Sequence, residues 1–533
     1  MKHLFTGLLV LFCVGAVVAV SRSAGPSAPP GSRHLSRAVF TDKVKGGWAG
    51  QMIGVSYGEP TEFRAMGHIN DAPLSWSPER VKEAIRQDDL YVEMTFAEVM
   101  DRVGLDATSR QYGEMFKGSQ YRLWHANAGA RRLLARGIEP PMSGHPKYNA
   151  HADDIDFQIE SDFIGMMTPG LPQAANLYAD RVGRVMNYGD GLYGGMFFSG
   201  MYAAAFFETD PRRVVEIGLQ SIPADSAYAR LISDVLVWSR ENPGPDDWRK
   251  VWQMIADKWD RDDLCPDGAF SKFNIDAKLN GAYVVLGLLY GRSDFGRTIE
   301  IATRPGQDSD CNPSSAAGIL GVMLGYDRIP ENWKGGIPAI ADTKFEFTSY
   351  SFNSIVASTI ARAEKVVTAA GGLVTPAGFD VPPQSPKAPA LEQWNAGVPV
   401  ARVALDEAAW TLGKGWVADT VQNDAAPFPK KVRRSTAAGD EATFAFDGTG
   451  VVITGAYSQG GGRADVWLDG QRSDLVLDAW IPERTFDTDY WHVTGLADGH
   501  HVVRIVTRAD ADARSTGHLI ELEQAVVYRA ATR

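Results

Sequence analysis

Cysteine is almost absent from this chain: Cys13, Cys265 and Cys311 are the three in 533 residues. So few do not build a disulfide scaffold, and the fold has to rest on a buried core. Basic runs are lacking too. Lys and Arg number 53 against 65 Asp and Glu, a formal charge of −12, which argues against nucleic acid as a partner. Beyond the first twenty residues no apolar stretch is long enough to span a bilayer. Strand-like alternation is missing from residues 38–370, so that part is expected to be helical.

The opening segment has a short polar start at Lys2 and His3. An apolar run follows from Leu8 to Val20, interrupted at Gly15, and Ala19-Val20-Ser21 suits cleavage. Residues 1–24 are therefore read as a signal peptide, with an uncleaved N-terminal anchor as the alternative. Val10-Leu11-Phe12 is a poor lipidation context for Cys13. The expected location is secreted or extracytoplasmic, with no stable membrane span after cleavage. Export leaves Cys265 and Cys311, whose pairing the sequence does not decide. Residues 25–37, with Pro26, Pro29 and Pro30, read as a spacer.

Glycine, by contrast, is abundant at 54 residues, and its placement is informative. Gly46, Gly50, Gly54 and Gly58 recur every four residues in a segment expected to be helical from Thr41, with Thr41 or Asp42 as cap. Four helical glycines cost about 3–4 kcal/mol relative to alanine, so their single stripe implies close approach of a neighbouring helix or a ligand. The run ends in Tyr57-Gly58-Glu59-Pro60-Thr61-Glu62-Phe63, a loop with two carboxylates. A second stretch, Gly306-Gln307-Asp308-Ser309-Asp310-Cys311-Asn312-Pro313, precedes a helix with small residues at Ala316, Ala317, Gly318, Gly321 and Gly325. Asn312 is its expected cap and Pro313 its first helical residue. Two aspartates at such a mouth read either as a capping turn or as hard ligands for a divalent cation.

Arg86-Gln87-Asp88-Asp89-Leu90 likewise puts two adjacent acids at a helix start, where capping explains one of them. An acidic run follows at His151, Asp153, Asp154, Asp156, Glu160 and Asp162. It reads either as a solvated face or as a cleft lining. The turn Asn187-Tyr188-Gly189-Asp190-Gly191-Leu192-Tyr193 precedes an apolar helix from Met196 and suits a hydroxyl-rich or anionic ligand. A Pro/Gly-rich linker is placed at 371–394. After it the period becomes two, with strands expected at Thr443–Phe446, Val451–Ile453, Ala464–Leu468, Val502–Thr507 and Ala525–Tyr528. Residues 395–533 thus read as an antiparallel β-sandwich. Its Trp467, Trp480 and Trp491 read as core first and sugar platforms second.

In order and spacing, the helical part resembles the ADP-ribosylglycohydrolase family, including its dinitrogenase reductase-activating members. Gly50, Gly54 and Gly58 through Phe63 resemble its first helix and glutamate loop. Gln87-Asp88-Asp89 resembles its Thr-Asp-Asp motif, and Gly306–Gly325 its Asp-x-Asp-Thr motif and following glycine-rich helix. Gln87 and Cys311 depart from the usual Thr or Ser, and Asn187 falls near the usual position of a His. The resemblance implies a multidomain α + β protein: an all-α domain over 38–370, then the sandwich, which has the character of a carbohydrate-binding module. It implies a cleft with two Mg2+ or Mn2+ ions held by Asp88, Asp89, Asp308 and Asp310, with Gln87 and Cys311 at the remaining positions.

Such a cleft hydrolyses a ribofuranosyl bond through an oxocarbenium-like transition state. Glu62 is the expected acid/base, with Glu59 as its substitute. Asp156, Glu160, Asp162, Asn187, Tyr188, Asp190 and Tyr193 are the expected substrate lining. The expected substrate is a sugar or ADP-ribose-type group, with a glycan at the sandwich. The alternatives are an O-glycosidase on an extracellular furanoside polysaccharide and a catalytically silent glycan-binding protein.

Overall fold

The computed structural model describes residues 28–260, 265–394, 397–422, 429–485 and 488–530. The expected signal peptide lies outside them. Among the described residues no helix is long and apolar enough to cross a membrane.

Residues up to Ala369 are a helical body, as the missing alternation implied. Its axis is a pair of helices, Arg37–Gly58 and Cys311–Leu324, packed along their length. The glycine stripe explains the pairing. A Cβ added at Gly46, Gly50, Gly54 or Gly58 would overlap the main-chain oxygen of Gly321, Ala317, Pro313 or Ser309 respectively. Both partners step by four residues in opposite directions, so the helices are antiparallel and meet backbone to backbone. The helical penalty of the glycines is offset by this contact. Gly54→Ala is therefore expected to destabilise the protein by about 3 kcal/mol. Urea unfolding checks this, and a loss under about 1 kcal/mol would mean that the pair separates easily.

Helix boundaries differ from expectation at two caps. The first helix begins at Arg37, with the Ser36 hydroxyl accepting from Val39 N at 3.2 Å. Thr41 and Asp42 therefore lie inside the helix. The other begins at Cys311, with Asp310 as its cap accepting from Cys311 N at 3.0 Å. Asn312 and Pro313 are one and two residues further in, where Pro still sacrifices no helical hydrogen bond. Part of the expected spacer and linker is ordered. Strands Arg33–Ser36, Leu373–Thr375 and Gly378–Val381 form one small antiparallel sheet that ties the start of the helical body to its end.

The C-terminal region is built of antiparallel sheets. Gly499–Ala511 is central to one, between Gly462–Leu468 and Glu441–Gly448. Ile520–Arg529 is central to the other, paired with Gly450–Gly455 and Lys430–Ser435. Phe444, Phe446, Val466, Val503 and Ile505 of the first sheet share one core with Ile453, Leu522 and Ala525 of the second. Trp491 belongs to this core, whereas Trp467 and Trp480 lie under the guanidinium groups of Arg504 and Arg514 at 4.3 and 3.7 Å. The sandwich is seated on the helical body. Val452, Val526 and Tyr528 pack on Ala269, and Arg132 donates to Asp489 at 2.7 Å.

Candidate active site

The loop after the first helix and the loop before Cys311 are stitched together. Phe63 N donates to Gln307 O at 3.0 Å, Gln307 N donates to Ala65 O at 2.9 Å, and the Thr61 and Ser309 hydroxyls lie 2.8 Å apart. This weave uses left-handed backbone at Phe63, Gly306 and Gln307 (φ 48°, 84° and 58°). Strain of this kind persists only where surrounding contacts impose it. It brings Glu62, Asp308 and Asp310 to one cleft, beside Gln87 and Asp88 at the start of the Asp88–Val103 helix.

The cleft has a volume of about 700 Å3 and includes Cys311, Tyr91, Trp124, Asn127, Asp156 and Phe273 in its lining. Asp89 is buried behind it. Ligand atoms of Asp308, Asp310 and Cys311 lie within 4.8 Å of one another. Neither carboxylate oxygen of Asp89, nor Oδ1 of Asp308, has a hydrogen-bond partner. Buried carboxylates without donors are costly unless protonated or bound to a cation, and an all-oxygen set of this kind fits Mg2+ or Mn2+. Cys311 fits less well. Burial first, then Asp308 and Asp89, keep its thiol protonated far above the usual range, and a neutral thiol is a poor ligand for a hard cation.

Crowding of the acids sets their protonation. Burial and then Asp88 push Asp89 up to about 8. Burial and then Asp89 push Asp310 up to about 7. Glu62 is open to the cleft's water, yet the protein mass around it, followed by Asp310 and Asp88, pushes it up to about 8. Between about pH 4 and pH 8 the folded, metal-free state holds protons that the unfolded chain releases, so this part of its stability is complete at low pH and is lost as pH rises through 7–8. Protein stripped with EDTA is expected to melt about 5 °C lower at pH 8.5 than at pH 5.5, with millimolar Mg2+ removing most of the difference. A scanning calorimeter reads both, and equal melting temperatures would mean that the acids are not coupled to folding.

The other expected residues distribute unevenly. Asp156 is on the cleft, its carboxylate accepting from Asn127 N at 3.0 Å and Ala126 N at 3.2 Å at the start of the His125–Ala135 helix. Glu160 lies behind it, accepting from Asn127. Asp162 is buried elsewhere, between Gln51 and the Tyr202 hydroxyl at 2.7 and 2.6 Å. Apart from the half-buried Asp153, the acidic run is therefore a set of buried groups and not a solvated face. The Asn187–Tyr193 turn does not line the cleft. Asn187 staples Ala152 O and Asp154 O at 2.9 and 2.8 Å. The ring of Tyr188 meets that of His145 at 4.6 Å. Asp190 opens the Asp190–Ala205 helix, and Tyr193 receives Glu392 N at 2.6 Å. The turn is occupied by the chain returning toward the sandwich. Glu59 is off the lining, 4.0 Å from Arg80.

Arg402, Thr454 and Gln524 of the sandwich also line the cleft. Nothing in a strand sequence marks them, because only docking of the two domains puts them there. The exposed Trp124, also on this lining, directly precedes the His125–Ala135 helix and has no motif around it. Cys265 and Cys311 are not bridged to one another.

The ADP-ribosylglycohydrolase family model matches residues 36–348. No curated protein matches the chain. Among solved structures, an ADP-ribosylglycohydrolase-related protein complex is 14% identical with a TM-score of 0.41, covering 62% of this chain and 99% of that one. A two-domain esterase active on acetylated mannans, co-crystallized with mannopentaose, is 15% identical with a TM-score of 0.21, covering 34% and 46%. The CBM36-1 domain of a multidomain xylanase from the hindgut metagenome of Trinervitermes trinervoides is 14% identical with a TM-score of 0.18, covering 25% and 98%.

Proposed function

Because this chain belongs to the ADP-ribosylglycohydrolase family, we propose that it is a secreted, metal-dependent glycohydrolase that cleaves an ADP-ribosyl or related furanosyl bond. The observation that carries the reading is the convergence of Asp88, Asp308 and Asp310 at the cleft with Asp89 buried behind them, Asp89 and Asp308 having carboxylate oxygens without partners. These four would hold two Mg2+ or Mn2+ ions, with Gln87 offering a carbonyl oxygen and Cys311 the weakest position. Bound there, such ions supply positive charge that orients sugar hydroxyls and lowers the pKa of a water.

Glu62 stands at the same mouth, on a loop that its neighbours Thr61 and Phe63 pin to Ser309 and Gln307. It takes a proton from the attacking water and can return it to the leaving group. Asp156, pushed up to about 6 by burial and steadied by two backbone donors, fixes the wall against which the sugar lies. The acidic cleft favours the positive charge that develops at the anomeric carbon. Arg86 and Arg402 also belong to this lining, the first paired with Glu83 and the second donating to Ala269 O, and their remaining donors suit a phosphate-bearing substrate.

A second reading, an O-glycosidase on a furanoside polysaccharide, draws on one observation: the sandwich borders the same cleft through Thr454 and Gln524. One preparation separates the readings. With Mg2+ present, release of ADP-ribose from ADP-ribosylated protein supports the first. Cleavage of an aryl furanoside, with none of ADP-ribosyl protein, supports the second. If Mg2+ binds and neither substrate is cleaved, a silent binding protein is what remains. Secretion, which rests on the leader sequence, is checked by the N-terminal residue of the exported chain.

A further inference from the structure

Beside the cleft, outside the carboxylate set, four chemically different side chains converge: His125, His151, Asp154 and Cys265. One ligand atom from each lies within 4.8 Å of all the others. His151 Nδ1 is 2.9 Å from Asp154 Oδ2 and 3.2 Å from Cys265 Sγ, and His125 Nδ1 is 3.6 Å from the same Asp154 oxygen. A tetrahedral zinc with bonds of 2.0–2.3 Å sets its ligand atoms about 3.3–3.8 Å apart, close to these spacings.

Two buried polar atoms of the cluster, on His125 and Asp154, are left without a hydrogen-bond partner. His151 Nδ1 faces both the Asp154 carboxylate and the Cys265 sulfur. His125 Nδ1 is buried and makes no hydrogen bond, and neither does Asp154 Oδ1 on a residue that is 1% exposed. His125 is held in this place by left-handed backbone (φ 43°) at the first residue of its helix. The turn carrying His151 and Asp154 is fixed by Asn187 and by Ile155 N donating to Ile275 O at 3.0 Å. Cys265 is fully buried in an apolar cluster with Ile155 and Ile275. A sulfur buried in this way is shielded from substrate, which suits a ligand better than a nucleophile.

We propose that His125, His151, Asp154 and Cys265 form a binding site for a zinc-type divalent cation, separate from the hard-cation carboxylates of the cleft. Two imidazoles and a thiolate select a borderline ion over Mg2+. The site also has an outer shell. His151 Nε2 lies 3.5 Å from Asp489 Oδ1, and Arg132 donates to the same oxygen. A ring N–H held by a carboxylate turns the opposite nitrogen toward the metal. Asp489 belongs to the sandwich, and the loop after Cys265 carries Ala269, on which the sandwich packs. The cation therefore fastens the β-sandwich to the helical body and sets the wall formed by Pro266, Asp267 and Phe273.

The test uses full-length protein purified without chelator and equilibrated with micromolar Zn2+ under reducing conditions. One zinc per chain is expected by elemental analysis. The Co2+-substituted protein is expected to show the near-ultraviolet thiolate-to-cobalt charge-transfer band, which a carboxylate site does not give. Cys265→Ser loses that band. Asp489→Asn weakens zinc by about 10–100-fold, and Asp308→Asn keeps both zinc and band. Wild-type protein without zinc, or cobalt without the charge-transfer band, overturns the proposal even if Cys265→Ser fails to fold. Zinc lost in Asp308→Asn and kept in Cys265→Ser also overturns it, since the ion would then occupy the cleft carboxylates. The magnesium-dependent reading stands or falls separately, on Mg2+ binding and hydrolysis.

Discussion

Asp308→Asn is expected to lower kcat/KM by about a thousandfold or more, a loss of roughly 4 kcal/mol in transition-state stabilisation. Asn keeps the shape of Asp308 and removes its charge. In the native chain that charge is buried at 3% exposure, with Oδ1 lacking a hydrogen-bond partner. Burial, then Asp310 and Glu62, hold its carboxyl protonated well above the usual range when no cation is present. A residue arranged in this way costs stability by itself and contributes only when a cation offsets the repulsion. Two results should therefore appear together. Mg2+ affinity falls with the activity, and the EDTA-treated variant melts higher than EDTA-treated wild type. Titration calorimetry, steady-state rates and thermal melting read the three quantities. Activity within tenfold of wild type at saturating Mg2+ would remove Asp308 from the metal set, and with it the two-ion reading.

The second large effect belongs to Glu62. Glu62→Gln is expected to reduce kcat by about 10²–10⁴, the usual range for loss of a positioned acid/base. KM and Mg2+ content should change little, because the Thr61–Ser309 and Phe63–Gln307 contacts that hold the loop do not involve the Glu62 side chain. The pH profile provides the discriminating readout. Mg2+ offsets the repulsion from Asp310 and Asp88, so Glu62 should titrate below its metal-free value of about 8. The acid limb of kcat should report that ionisation and flatten in Glu62→Gln. If kcat falls while the acid limb persists, another group carries the proton. Asp156, on the same cleft, is then the next residue to substitute.

Asp308→Asn removes charge from a buried cluster and Glu62→Gln removes the proposed proton carrier from its mouth, so the two need not have equal consequences. Activity that depends on crowded carboxylates is obtained at the expense of stability. The glycine stripe opposes that loss, since the antiparallel pair it permits holds Ser309 and Asp310 against Gly58.

Much of this was legible in the chain itself, where the interactions are local. A four-residue glycine period specifies a helix face, and Asp-x-Asp before a run of small residues specifies a helix mouth. Alternation near Thr443–Phe446 and Val502–Thr507 specifies strands. All of these depend on residues within a turn or two of one another. The identity of the cap was less legible. Ser36 and Asp310 cap where Thr41 and Asn312 were expected, because several residues of suitable chemistry stand within a few positions and packing selects among them.

Only the tertiary structure decided the rest. The acidic run at 151–162 has the composition of a solvated face, and it is buried because Asn127, Asn187, Gln51 and Tyr202, distant in sequence, supply its donors. Arg402 and Asp489 have no motif around them, and they reach the cleft wall and His151 only because the sandwich docks on Ala269. Periodicity in a sequence records which face of an element is covered. Which distant element covers it is a property of the closed chain, and in this protein that closure brings the sandwich to the edge of the acidic cleft.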